Sequence, residues 1–268
     1  MDWTMLPVLL ALGAVIGFMA GLLGIGGGMS IVPLLTILYT ARDFPSAHVV
    51  HMAVGTATAT MMFTALSSVR AHSRKKAVLW AVVAAMAPGI VLGSLAGPQI
   101  AAALPGHVLA AVFGVFTWAS ATRQLTARPP RPGRELPGRL ALFGVGTGVG
   151  VVSSLLGAGG GFITIPYLGF HNVKIHNAVA TSAALGLPIA VAGTISFVVA
   201  GLRQPDLPAW SVGYVWLPAM IMIVVASMAV APVGVAMAHR WPAVKLRRAF
   251  AALLYVLGAY MFWKASRG

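Results

Sequence analysis

Leu22-Leu23-Gly24-Ile25-Gly26-Gly27-Gly28 is written twice in this chain, the second time as Leu155-Leu156-Gly157-Ala158-Gly159-Gly160-Gly161. The same spacing carries Gly17 onto Gly150 and Pro33 onto Pro166. Consecutive glycines inside an apolar run disfavour a helix by about 1 kcal/mol each relative to alanine. In a bilayer, broken helical backbone survives only where protein or a polar cavity satisfies the freed N–H and C=O groups. Paired breaks at matching positions of two repeats therefore point to a binding site where they meet. A plainer role is also open, because small residues let helices pack closely in bilayers.

The surrounding chain has the composition of a membrane protein. Hydrophobic residues make up 59% and charged residues 8%, with a mean hydropathy of +0.91; soluble domains carry about 25% charged residues. The acids are Asp2, Asp43, Glu135 and Asp206, none of them inside a long apolar run. The formal net charge is +14, but the basic residues cluster between apolar segments, as in cytoplasmic loops. That distribution argues for a lipid bilayer and against a nucleic-acid partner. The chain has no cysteine, which excludes disulfides, thiolate metal sites and cysteine catalysis. Met1-Asp2-Trp3 lacks a basic leader region, so the first apolar segment is expected to be retained.

The apolar pattern predicts an all-α, polytopic membrane protein of two repeats, 1–122 and 140–268, joined by a basic, proline-rich linker at 123–139. In the first repeat, a block from about Met5 to Tyr39 is broken at the glycines and reads as a helical hairpin with a short second limb. Segments near 47–69, 77–97 and 108–121 follow, with a basic loop at 70–76 and an uncharged turn around Pro98 and Pro105-Gly106. The second repeat has a hairpin at about 140–170 and segments near 175–200, 212–236 and 249–263, with a long loop at 201–208 and a basic stretch at 239–248. The duplication continues past the glycines. His51-Met52-Ala53-Val54-Gly55-Thr56 matches His176-Asn177-Ala178-Val179-Ala180-Thr181, and Leu109 and Phe113 match Leu246 and Phe250. Because Gly55 becomes Ala180, the two half-sites need not be equivalent.

Loop charge predicts orientation. The basic loops at 70–76 and 239–248 should both be cytoplasmic, and the uncharged Pro98 turn and the 201–208 loop should be outside. Corresponding loops then lie on opposite sides, so the repeats are inverted and each crosses the bilayer an odd number of times. Lys264 and Arg267 dissent, since this scheme puts them outside.

In an inverted repeat the two breaks enter from opposite faces and meet near the midplane. Exposed N–H groups and the positive ends of the short helices starting at Met29 and Phe162 would cradle an anion. Gly26, Gly27, Gly28, Gly159, Gly160 and Gly161 are the candidate backbone ligands. Thr56 and Thr181 sit about 7.5 Å along their helices from His51 and His176 and offer hydroxyl donors, as does Ser182. A second reading has the threonines bond back to their own helix carbonyls. Histidine in a membrane segment is a functional candidate, though His51 and His176 also suit helix ends at the interface. His48 and His51 have no acid or cysteine nearby to complete a metal site, and no cofactor is called for. Ser182 beside His176 has no acid to orient it, so an enzyme is not expected. With no carboxylate in the membrane, coupling to protons would rest on histidine or on the substrate itself.

The repeated Gly-x-Gly-Gly-Gly hairpins, the His-x-Ala-Val-x-Thr segments and the stretch Leu207-Pro208-Ala209-Trp210-Ser211-Val212-Gly213-Tyr214-Val215 resemble the TauE/SafE sulfite exporter family, also called the TSUP family. The resemblance covers nearly the whole chain. It implies a multi-pass transporter in the bacterial inner membrane for small anions, often sulfur-containing: sulfite, sulfonates, sulfoacetate. Members differ in substrate and direction. An alternating-access carrier is expected, with an anion channel using the same site as the alternative.

Overall fold

The computed structural model describes residues 5–23, 28–74, 76–126, 135–238 and 243–267. Gly24 to Gly27, the linker residues 127–134 and the stretch 239–242 lie outside these. The chain forms α1 (Met5–Leu23), α2 (Gly28–Ala41), α3 (Val49–Arg74), α4 (Trp80–Ala103), α5 (Gly106–Thr126), α6 (Arg139–Leu155), α7 (Gly161–Phe170), α8 (Ile175–Gly201), β1 (Ser211–Val212), β2 (Val215–Trp216), α9 (Leu217–Ala238) and α10 (Ala243–Arg267). It is an all-α membrane protein with one short antiparallel ribbon. Among the described residues, α3, α4, α8 and the Arg248–Arg267 part of α10 are long and apolar enough to cross a bilayer. Large apolar side chains such as Leu92, Val115, Val225 and Val256 face outward, as lipid contact requires.

The duplicated sequence folds into duplicated detail. With 14 and 10 residues, α2 and α7 reach only about 21 and 15 Å, against a hydrocarbon core of ~30 Å. Each carries its proline at the same depth, Pro33 and Pro166. Each also ends in the same way: Phe44 N–H donates to the Tyr39 carbonyl and Val173 N–H to the Leu168 carbonyl, both at 3.1 Å. Asp43 and Asn172 turn the corner with φ of 53° and 62°, the left-handed conformation that Asp and Asn tolerate best after glycine.

Small residues four apart form the seams between the halves. Gly89, Gly93 and Gly97 of α4 lie against Thr147, Val151 and Ser154 of α6, while Gly146 and Gly150 lie against Met86 and Ile90. Positions rise together along both helices, so α4 and α6 run parallel. The counterpart pair is built alike, with Gly13 and Gly17 of α1 against Ile223 and Ser227 of α9. By contrast α3 and α8 run antiparallel: Gly193 faces Thr58, Gly186 faces Ala65, and Thr181 meets Leu79. Gly17 and Gly150, matched in the sequence, are thus packing residues.

Three expectations about boundaries are corrected. Pro98 is buried inside α4, and Pro88 lies in the same helix; a proline within a membrane helix is tolerated where neighbours hold the freed backbone, and α6 lies along this one. The basic residues Arg70, His72 and Arg74 are the last turns of α3, and 243–248 begin α10, because a helix leaving the bilayer continues into water with its basic residues at the end. Residues 212–216 are not helical. Gly213, at φ 55°, turns a ribbon that is anchored by Tyr214 N–H donating to the Phe197 carbonyl at 3.3 Å. The apolar run 212–217 is continuous, so hydropathy carries no sign of this change.

Candidate functional site

The second glycine break is a tight, partly unsatisfied piece of backbone. Gly157 has φ 59°, and a Cβ there would stand 3.0 Å from the Val54 carbonyl oxygen, so no other residue fits without strain. The N–H groups of Gly157 and Ala158 donate to the carbonyls of Ser154 and Ser153 at 3.2 and 2.9 Å. Among the described residues, those of Gly159 and Gly160 donate no such bond, and Gly161, opening α7, has no intrahelical acceptor. These glycines wall a cavity of about 110 Å³, several times the ~10–15 Å³ that one water needs. Ser182 from α8 and Met61, Thr64, Ser68 and His72 from α3 complete much of the wall, and among the described residues no acidic side chain lines it. Ser182 Oγ lies 3.3 Å from where a Gly161 Cβ would stand.

Gly28, the first residue of α2, adjoins the second break. A Cβ on Gly28 would meet the Gly157 carbonyl oxygen at 2.6 Å and Met61 Sδ at 2.8 Å. Gly26 and Gly27 lie outside the described residues.

Thr56 and Thr181 do not line the cavity, and they share a role that the sequence did not reveal. Thr56 Oγ1 accepts from Trp216 N–H at 3.0 Å, and Thr181 Oγ1 accepts from Leu79 N–H at 3.0 Å. Trp216 and Leu79 are the residues immediately before α9 and α4, so each threonine, from α3 and α8 respectively, satisfies an N–H at the start of a long helix in the other half of the chain. Tyr39 OH also donates to Thr56, at 3.2 Å. Around that bond Tyr39 stacks on Phe44 with ring centroids 4.7 Å apart, and Trp216 meets both rings edge-on at 5.7 and 5.2 Å. The partners lie far along the chain, which is why spacing alone could not show them.

The matched histidines part company. His51 is 3% exposed, and its Nε2–H donates to the Ala101 and Leu104 carbonyls, at 2.9 and 3.1 Å, where α4 ends. Its ring stacks on Tyr214 with centroids 5.3 Å apart. His176 is exposed at the start of α8. The ribbon that brings Tyr214 onto α3 accounts for the difference between the halves. A Cβ on Gly55 would stand 2.7 Å from the Tyr214 carbonyl oxygen, whereas the matching Ala180 packs in an apolar cluster with Val78. His51 lines a second cavity, of about 520 Å³, together with His48, His107, Tyr214, Lys264 and Arg267.

Two short helices with matched prolines, glycine seams and a cavity beside the second glycine break are accompanied by likeness to known proteins. The family described as Sulfite exporter TauE/SafE matches residues 9–261. The chain belongs to the TauE/SafE family. A probable membrane transporter protein of Haemophilus influenzae is 31% identical, covering 98% of this chain and 100% of that protein. A probable membrane transporter protein of Methanocaldococcus jannaschii is 25% identical over 96% of this chain and 95% of its own, and one from Bacillus subtilis is 27% identical over 87% and 91%. No solved structure matches the chain. Membership of the TauE/SafE family makes this a multi-pass membrane transporter, and what it carries is a matter of the site.

Proposed function

We propose that the chain carries a small anion across the bacterial inner membrane by alternating access, with the cavity beside Gly159, Gly160 and Gly161 as its binding site. One observation carries the reading: Gly159, Gly160 and Gly161, at the N-terminus of α7, wall a cavity that holds hydroxyls and, among the described residues, no carboxylate. Such a terminus bears about half a positive charge and favours anions. Ser182 and Ser68 add hydroxyl donors, whereas Thr64 Oγ1 donates to the Met61 carbonyl at 3.1 Å. Gly26, Gly27 and Gly28 are assigned the matching role in the first half. Thr56, Thr181, His51 and His176 hold or border the helices that meet there rather than bond the anion in this state.

The family description favours a sulfur oxyanion such as sulfite, a sulfonate or sulfoacetate. The parallel α4–α6 and α1–α9 seams, with α3 antiparallel to α8, support an inverted repeat. The exposed residues Arg70, Arg74 and Lys76 favour the cytoplasm for the α3 end that borders the cavity. Along α3 the Tyr39, Phe44 and Trp216 cluster at Thr56 falls between His51 of the larger cavity and Met61 of the smaller. A block between two cavities supports a carrier over a channel.

The test is counterflow in proteoliposomes holding purified protein. Preloaded unlabelled sulfoacetate, taurine or sulfite should drive saturable uptake of the same labelled compound. Unitary currents in a planar bilayer, without counterflow, would replace the carrier by a channel.

A further inference from the structure

We propose that the larger cavity, of about 520 Å³, is a second oxyanion site, taking a sulfate, sulfonate or phosphate group at the end of the molecule opposite Arg70 and Arg74. Three separate parts of the fold bring cations and imidazoles to it: His48 and His51 from the turn before α3 and its first turn, His107 from α5, and Lys264 and Arg267 from α10, with Tyr214 of the ribbon beside them. Among the described residues, no acidic side chain lines it. Its volume falls in the ~300–1,000 Å³ range of small-molecule sites. His48 Nδ1 is buried without a hydrogen-bond partner among the described residues, an unusual state for a polar atom and one that a ligand would relieve.

Arg267 is held in place by the Trp263 ring, its guanidinium carbon 4.4 Å from the ring centroid. Stacking of that kind leaves the edge N–H groups free to fork onto an oxyanion. The site also accounts for Lys264 and Arg267 at the end where the loop-charge rule disfavours basic residues: a ligand gives them a reason to be there. The glycine cavity and this one share no lining residue, so the two sites are distinct. Binding here stands whether or not the chain is a carrier.

The chain has no cysteine, so a single Ser46→Cys change in the full-length protein gives one reactive thiol on the cavity wall, where Ser46 is exposed. The variant, in phosphatidylcholine nanodiscs, is labelled with the 2-sulfonatoethyl and the 2-(trimethylammonio)ethyl methanethiosulfonates. The anionic reagent should react faster, and removing both cations with Lys264→Gln and Arg267→Gln should lower the rate ratio about 5-fold or more per charge. Lys264→Arg with Arg267→Lys should keep the ratio, which separates charge from misfolding. Inorganic sulfate or methanesulfonate should slow labelling saturably. If only phosphatidylglycerol in the nanodisc slows it, the oxyanion is a lipid phosphate. Absence of protection from sulfate, methanesulfonate and phosphatidylglycerol overturns the proposal, whatever the ratio. Protection without counterflow fails the carrier reading alone, and counterflow without protection fails this one alone.

Discussion

At the scale of single residues, neighbouring glycines of one break do different work. Among the described residues, a Cβ on Gly159 would meet only Met61 Cε, at 3.5 Å, an ordinary contact. Gly159→Ala should therefore keep the melting temperature within a degree or two while lowering anion affinity, because the methyl narrows the approach to unbonded N–H groups. Calorimetric titration and a melting curve on the same preparation check this; unchanged affinity would return the glycine to a packing role. Gly161→Ala puts its methyl 3.3 Å from Ser182 Oγ and should weaken binding further. Gly157 is the opposite case. Its positive φ and the Val54 carbonyl at 3.0 Å make Gly157→Ala a stability change, expected at about 1–3 kcal/mol.

At the scale of elements, the seams and the threonine bonds hold the helices in register. A side chain at Gly93 collides with the Thr147 carbonyl, so Gly93→Val should separate α4 from α6 and destabilise by about 1–3 kcal/mol or more. Gly17→Val at the Ser227 backbone should do the same to the α1–α9 seam, and fluorescence-detected size exclusion after heating would rank both below the parent. Thr181→Val strands the Leu79 N–H at the start of α4; a lost acceptor of this kind is worth about 1–3 kcal/mol. Thr181→Ser should recover most of it.

These elements also mark how far the sequence could be read. The short helices α2 and α7 with their prolines were legible because glycine and proline announce themselves at matching positions. Recurrence did single out Thr56 and Thr181, but their acceptor role depends on Trp216 and Leu79, which no local pattern connects to them. The ribbon at 211–216 stayed hidden because Val212, Tyr214, Val215 and Trp216 read as the start of a membrane helix. That one element removes the symmetry between His51 and His176.

At the scale of the whole molecule, the proposed inversion of the repeats has a direct consequence for the loops. Lys76, after α3, and Leu202, after α8, stand at equivalent points, and both are exposed. Single cysteines at these two positions should label from opposite sides of an intact membrane with an impermeant maleimide. Labelling from the same side would make the duplication parallel and separate the breaks.

The central claim, that the transported anion passes through the cavity beside Gly159, Gly160 and Gly161, is tested most directly by counterflow through a Ser182→Cys variant. Ser182 lines that cavity, and no other thiol is present. In proteoliposomes the unmodified variant should retain saturable counterflow. Reaction with 2-sulfonatoethyl methanethiosulfonate should abolish it, and the transported anion should protect in proportion to its occupancy. Full modification, measured by mass spectrometry, with counterflow undiminished would contradict the account.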